Sequence, residues 1–299
     1  MREDMSTSLN TSIKKLVPWY AKLGAKIVLS RIPVKYSIKS RCGIFRHGAM
    51  DKSEYAYGVF RKHYERLGLS RTDRNGSGWV MLELGPGDSL SSALVARALG
   101  AQKSYLVDVA PFASTDITVL KRMAKHLTRL GLPLEGIEEC GTIGEILQLC
   151  NAEYLTSGLE SLKSIPDHSI DLLFSNAVLE HVRLHEFASI CGEMRRIQRP
   201  SGVASHTIDF ADHLVHSLNN LRFSQSLWEA EWMVSSGFYT NRIRPAQMCD
   251  LFAKAGFQVD VLKSVKWPKV PIKRSSLAAP FSTLDDSELI TYGLDVLLH

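Results

Sequence analysis

The stretch that decides the fold is Trp79-Val80-Met81-Leu82-Glu83-Leu84-Gly85-Pro86-Gly87-Asp88-Ser89-Leu90-Ser91-Ser92-Ala93-Leu94-Val95-Ala96-Arg97-Ala98-Leu99-Gly100. Val80 to Leu84 is a short apolar run of the kind that forms a buried strand. Gly85 to Ser89 is a turn, since paired glycines supply the backbone freedom a tight turn needs. Ser91 to Leu99 reads as a helix, with Ser or Asp available to cap its start and Gly100 to stop it. Such a strand, turn and helix open an α/β unit, and ligands of such units lie beyond the carboxyl ends of the strands. The Gly85–Ser89 turn is therefore the first place to look for a ligand cradle, with a purely structural tight turn as the alternative.

The same alternation continues outward. Ser104 to Val109 predicts the second strand, 115–130 a helix ended by Gly131 and Pro133, and the region of Glu153 to Thr156 a third strand. Ile170 to Ser175 predicts a fourth strand, followed by a helix with Phe187, Ile190, Met194 and Ile197 on one face. Pro200-Ser201-Gly202 reads as a turn into a fifth strand, Val203 to Ile208. A helix over Ala246 to Ala255, stopped by Gly256, precedes strands at Phe257 to Leu262 and Leu294 to Leu298. Strands alternating with helices predict a Rossmann-like α/β fold: a seven-stranded, mostly parallel sheet with helices on both faces.

Upstream, Ser12 to Ser30 predicts an amphipathic helix, Pro18 permitting a break. Ile13, Leu16, Val17, Tyr20, Leu23, Ile27 and Val28 share an arc of about 140°. Lys14, Lys15, Lys22 and Lys26 lie on the other side. A second helix is expected near Ser53 to Leu67, and the polar loop Ser70 to Gly78 follows it. Residues 1–70 are thus expected to form a basic helical arm and cap, and residues 71–299 the main domain. Residues 1–50 hold ten Lys/Arg against two acids, whereas the remainder holds 26 against 29. The arm suits either capping of the domain by its apolar face or contact with an anionic membrane or acceptor. The mildly acidic body lacks the basic stripe of a nucleic-acid reader.

The chain has 299 residues, 45% apolar and 22% charged, with 20 Gly, 11 Pro and five Cys. These values suit a globular protein with a sizeable core and exclude collagen-like and wholly disordered classes. The cysteines (Cys42, Cys140, Cys150, Cys191, Cys249) form no C-x-x-C pair, against a disulfide framework or zinc knuckle. No metal site is expected from the sequence. The polar start, MREDMSTSLN, argues against a secretory leader, and no apolar run is long enough to span a bilayer. A cytoplasmic protein is expected, with peripheral contact at the inner membrane face as an option for the arm.

Asp108 ends the second strand, 25 residues after Glu83. A carboxylate there suits a ribose diol, with a helix cap as the alternative. The dinucleotide pattern G-x-G-x-x-G fails, because its third glycine would be Leu90. An acid, one residue, then G-x-G instead resembles motif I of class I S-adenosylmethionine-dependent methyltransferases. Asp171-Leu172-Leu173-Phe174-Ser175-Asn176-Ala177-Val178-Leu179-Glu180-His181-Val182 resembles the fourth-strand motif of that superfamily, and Met194-Arg195-Arg196-Ile197-Gln198-Arg199-Pro200-Ser201-Gly202 its turn into strand five. The resemblance covers roughly residues 79–262 and the last strand. Gly43 to Met50, Ile208 to His213 and Phe238 to Arg244 further resemble a bacterial branch often associated with surface-glycan assembly.

The resemblance implies S-adenosyl-L-methionine as cofactor, cradled by Glu83, Gly85, Pro86, Gly87, Asp88 and Ser89. Ser89 stands where the superfamily usually has a third small residue. Asp108 and Val109 would meet the ribose, and Gly158 and Leu159 the adenine. Ser175, Asn176 and Ala177 would border cofactor or acceptor at the end of strand four. Asn176 is followed by Ala-Val rather than Pro-Pro-aromatic, which disfavours the amine-methylating nucleic-acid enzymes. For an oxygen acceptor a base is needed, and histidine suits that task at neutral pH. His213, oriented by Asp209 four residues before it, is the first candidate, with His206 and His181 behind it and a structural His–Asp pair as the alternative. Glu180 and His181 equally suit a role in holding their loop. Arg222, Arg242 and Arg244 suit either an anion clamp or solvated surface. The expected function is methylation of a sugar hydroxyl, a glycan intermediate, a small metabolite or a lipid headgroup. The alternative is an inactive S-adenosylmethionine-binding scaffold or regulatory subunit. The oligomeric state is not legible.

Overall fold

The computed structural model describes residues 18–31, 49–68 and 78–299. The expectations for residues 12–17, the Gly43 to His47 part of the upstream motif with Gly48, and the loop 70–77 lie outside the described residues.

Seven strands form one sheet: β1 (Trp79–Leu84), β2 (Ala101–Val107), β3 (Ala152–Leu155), β4 (Ile170–Asn176), β5 (Gln198–Asp209), β6 (Val259–Lys266) and β7 (Thr291–Leu298). Their order is β3-β2-β1-β4-β5-β7-β6. β1 to β5 run parallel, and β7 runs antiparallel between β5 and β6. This is the Rossmann-like, mostly parallel sheet that the strand–helix alternation predicts. Strand order reverses at β1, which lies between β2 and β4, so the crevice above its carboxyl end is the natural ligand position.

The helices are α1 (Trp19–Ser30), α2 (Ser53–Arg66), α3 (Ser91–Ala98), α4 (Ile117–Arg129), α5 (Ile143–Leu149), α6 (Leu159–Lys163), α7 (Phe187–Ile197) and α8 (Pro245–Lys254), with shorter helical turns between. Alternate strand residues serve opposite faces. Leu82, Leu84, Leu173, Ala204 and Ile208 pack with α6, α7 and α8 residues such as Leu162, Phe187, Met194 and Phe252. Met81, Leu106, Leu172 and Phe174 pack on the other face with α3, α4 and α5. α2 joins this second face. Ala56 and Phe60 are buried there, and the Phe60 ring meets Phe174 edge-on at 5.5 Å. Its polar edge is bound as well: His63 Nδ1 lies 2.7 Å from Ser205 Oγ, and Lys62 and Arg66 pair with Asp295 on β7 at 2.8 and 2.9 Å.

β5 begins five residues earlier than expected. Pro200-Ser201-Gly202 reads as a turn, yet Gln198 already pairs with Ile170, and a register shift carries the ladder to Leu172 and Val203. The pair is an irregularity inside the strand, of the sort that glycine permits. A Cβ on Gly202 would lie 2.7 Å from the Ile170 carbonyl oxygen, so only glycine passes β4 at that distance.

α1 lies on the segment that follows β5. Leu23 is buried among Leu214, Trp228, Met233, Phe238 and Tyr239, with Trp19 and Ile27 packed beside it. The covered stripe is therefore narrower than the predicted arc: Tyr20 and Val28 are each 63% exposed. Among the described residues, no helix is long and apolar enough to cross a membrane.

Because Phe60 is 1% exposed and sits under the sheet, Phe60→Ala should lower the unfolding free energy by about 3–5 kcal/mol. Denaturant titration checks this. A loss below about 1 kcal/mol would show that α2 is not part of the cooperative core.

Candidate active site

At the carboxyl end of β1 the chain turns sharply. The Gly85 amide donates to the Val107 carbonyl at 2.8 Å, which closes the turn against β2. Gly85 has φ 68°, and a Cβ there would stand 2.6 Å from both γ-methyls of Val178. Valine is stiff at χ1 and cannot swing away. The turn thus packs directly on the loop after β4, and any larger residue would push the two apart.

Asp108 locks the turn from the other side. Its carboxylate accepts the Gly87 amide at 3.2 Å and the Val109 amide at 2.8 Å. Its backbone bridges onward, accepting from the Gly158 amide at 2.9 Å and donating to the Leu155 carbonyl at 2.9 Å. Val109 is left 71% exposed at this edge, beside Gly158 and the start of α6 at Leu159. An apolar side chain in the open next to a fixed carboxylate could take a flat, uncharged ring above a diol. Asp88 is half-buried, and its carbonyl accepts the Ser114 amide at 2.9 Å. Pro86 and Ser89 are buried. The Ser89 hydroxyl accepts the Ser91 amide at 3.2 Å and lies 2.7 Å from Ser91 Oγ. The structure thus brings Gly85 to Ser89, Asp108, Val109, Gly158 and Leu159 to one edge.

Other residues of the expected set sit deeper. Glu83 points beneath the turn into the α3 face, where Ser92 donates a short hydrogen bond to it. Burial, helped by the nearby Asp108 charge and opposed by the Ser92 bond, pushes its carboxyl up to about 8. It is a neutral acid at pH 7 under the cradle rather than a wall of it. The Ser175 hydroxyl is fully buried and lies 2.7 Å from His206 Nδ1. Asn176 is half-buried and Ala177, with φ 55°, is exposed, so these two turn the chain out at the end of β4.

His206, a candidate base, does not reach the surface at the end of β5. It shares the face of Ala204 and Ile208, is fully buried, and stacks on Phe252 at 6.0 Å. Desolvation, with Arg66 adding repulsion, lowers its imidazole to about 3. The arginine clamp is also corrected. Arg242 and Arg244 are 4% and 3% exposed. Arg242 donates to the carbonyls of Asn220 and Phe223, and Arg244 to those of Phe210, Glu288 and Thr291. Both guanidiniums brace loops instead of facing a cleft. Arg222 donates to Asn219 Oδ1 and lies over the Trp19 ring of α1.

Glu180, His181, Asp209 and His213 do come together, at the ends of β4 and β5. His213 Nε2 lies 3.7 Å from Asp209 Oδ2, an ion-pair distance. The four-residue spacing is met by a turn, because Asp212 accepts the amides of Leu214, Val215 and Asn219 and winds the chain there. The His181 and His213 rings stand edge-on at 4.7 Å. His181 Nδ1 lies 2.8 Å from the Tyr239 carbonyl oxygen. Glu180 is 2% exposed, and burial, with Asp209 adding repulsion, holds its carboxyl well above the usual range.

Sequence reasoning missed what holds this loop. The Asn241 side-chain amide donates to the carbonyls of Leu179 and Val182, and its backbone amide to that of Glu180. The signal is the segment Phe238 to Arg244, in which the asparagine rather than the arginines reaches the loop.

The sheet order and the glycine turn locked to an acid on the neighbouring strand define a Rossmann-like fold with a ligand cradle at the end of β1. Residues 82–205, from within β1 to within β5, match the family model Methyltransf_11, described as methyltransferase domain. No curated protein matches the chain. Among solved structures it is similar to phosphoethanolamine N-methyltransferase 2 of Haemonchus contortus in complex with phosphomonomethylethanolamine and S-adenosylhomocysteine (15% identity, TM-score 0.44, 81% of this chain and 52% of that one). The chain thus spans about half the length of that protein. It is also similar to a SAM-dependent methyltransferase of Archaeoglobus fulgidus (11% identity, TM-score 0.45, 88% and 97%). A third likeness is a putative O-methyltransferase of Nostoc punctiforme (12% identity, TM-score 0.44, 94% and 68%).

Glu83 sets a pH dependence. Between an unfolded value near 4.5 and a folded value of about 8, the folded state keeps a proton that the unfolded state releases. Stability from this group is full below 4.5 and is lost as pH rises through 8. Glu83→Gln cannot ionise. Relative to wild type, its unfolding free energy should improve by several kcal/mol between pH 5 and pH 8 (on the order of 4 at most). Parallel pH curves for the two proteins would show that Glu83 ionises freely in the fold.

Proposed function

We propose that the chain is an S-adenosyl-L-methionine-dependent methyltransferase whose acceptor is a hydroxyl of a sugar, a glycan intermediate or a small metabolite. The observation that carries the cofactor is the Gly85–Gly87 turn fixed to the Asp108 carboxylate, beside exposed Val109. These residues fit the group: the turn has no room for a Cβ at Gly85, the carboxylate accepts hydrogen bonds as a ribose diol requires, and Val109 with Leu159 offers an apolar wall for adenine. The methyltransferase family match over residues 82–205 supports the same reading.

The bound cofactor supplies an already activated methyl group on a sulfonium. The protein has to align an acceptor in line with it and keep water out, effects worth several kcal/mol. Asn176 and Ala177 sit at the end of β4, between the cradle and the Glu180–His181–Asp209–His213 group. That group is the acceptor side. An attacking hydroxyl must lose its proton as the carbon–oxygen bond forms, and the His213 imidazole beside Asp209 can take it. The segment 210–244 and α1 would form the acceptor wall, which makes them the place where acceptor identity is decided. The basic N-terminal arm suits an anionic acceptor or membrane surface.

Two measurements test this reading. Calorimetry should show binding of S-adenosylmethionine and S-adenosylhomocysteine, with Asp108→Ala losing about 1.5–3 kcal/mol for each ribose hydrogen bond removed. Unchanged affinity in that variant would remove Asp108 from the site. Label transfer from methyl-labelled cofactor into a cell extract should mark a hydroxyl-bearing fraction. Tight cofactor binding with no transfer into any fraction would favour the scaffold.

A further inference from the structure

The acceptor side contains a donor set that proton transfer alone does not explain. One ligating atom from each of Glu180, His181 and His213 lies within 4.8 Å of the others. Glu180 is 2% exposed, and its carboxylate makes no well-formed hydrogen bond, the backbone amides of Glu180 and Asp209 being the only donors near it. Buried polar atoms are nearly always well partnered, and a buried carboxyl held only by such poorly aligned backbone contacts is costly to keep. His181 supplies a further sign. A carbonyl only accepts, so the Nδ1 facing Tyr239 carries the proton in the neutral ring, and the lone pair is on Nε2. A metal-ligating histidine is commonly fixed in this way, by donating its other nitrogen to a carbonyl or carboxylate. Asp209, 3.7 Å from His213, stands as an outer carboxylate or a fourth ligand.

We propose that Glu180, His181 and His213 bind a divalent transition-metal cation, such as zinc, for which manganese is a weaker paramagnetic stand-in, at the acceptor side of the site. Two imidazoles and one carboxylate suit such ions better than magnesium or calcium, which favour all-oxygen sets. Bonds of about 2.0–2.2 Å require the ligand atoms to close in from where they stand. His181 stays on the Tyr239 carbonyl, and His213, half-buried at the mouth, has room to turn toward it and Glu180. The cation places positive charge against the buried carboxylate. Its remaining coordination positions open outward, where a hydroxyl would approach. Coordination lowers the pKa of a bound hydroxyl, and its proton passes to Asp209 or to water as the oxygen becomes the nucleophile. This role rests on the methyltransferase reading, whereas the cation site itself does not.

The test uses the full chain, freed of metal with a chelator, and no cofactor. Manganese is titrated in and followed by the loss of its free-ion paramagnetic signal, and zinc is added as a competitor. One ion should bind per chain. His181→Ala and His213→Ala should each weaken binding by at least about 10–100-fold. Glu180→Gln should weaken it similarly. If that variant does not fold, the two histidine variants decide, since neither side chain is in the core. S-Adenosylhomocysteine affinity, measured on the same samples, should stay near wild type and certifies the fold. No manganese or zinc binding up to millimolar ion, or binding unaffected by both histidine variants, overturns the proposal. Metal binding without cofactor binding would leave the site standing and remove the methyltransferase reading. Cofactor binding without metal binding would do the reverse.

Discussion

The contact between Gly85 and Val178 is the constraint on which the site depends. β1 is the strand about which the sheet order reverses, so its exit turn has neighbours on both sides. On the β2 side, Asp108 ties down the Gly87 amide. On the β4 side, the missing Cβ of Gly85 admits the Val178 methyls. One turn therefore sets the position of two loops: the first carries the proposed cofactor residues, and the second carries Glu180 and His181. The proposed cofactor and acceptor sides are not separate attachments to a scaffold but consequences of how one glycine packs.

Much of the fold was legible because apolar runs, glycine stops and their spacing report on local structure directly. All seven strands fall where the alternation places them, to within a few residues at most ends. The exception is β5, whose first five residues read as a turn. Pro200 and Gly202 look like punctuation in sequence, but pairing with Ile170 extends the ladder across them, and no local pattern reports that. At the site, spacing placed residues near the right strand ends but not on the right faces. Proximity in sequence groups His206 with His213. Its own parity argued otherwise, since it alternates with Ser205 and Thr207 and shares a face with Ala204 and Ile208, both buried. Glu83 has the same history: it belongs to the strand, so its side chain enters a core face and is neutralised there. For Arg242 and Arg244 no sequence signal distinguishes a buried brace from a clamp, because only the fold shows that carbonyls converge on them.

The region beyond β5 is built differently from the sheet. It holds a small apolar cluster of its own around Trp228, with Leu23 of α1 inserted and buried arginines satisfying loop carbonyls. Asn241 carries the order of this region back to the Leu179–Val182 loop. Changes in the cluster would thus reach the acceptor side through hydrogen bonds to the backbone while leaving the β1–β2 cradle untouched. That division suits an enzyme in which one half holds a common cofactor and the other half selects what is methylated.

The most direct test of the cofactor site is amide hydrogen exchange with and without saturating S-adenosylhomocysteine. The expected result is protection concentrated in three separate segments, 85–89, 108–109 with 158–159, and 176–177, since one ligand would bridge all three while the distant β6 edge stays unchanged. Protection confined to other segments, or none at saturating ligand, would contradict a cofactor site at the Gly85 turn.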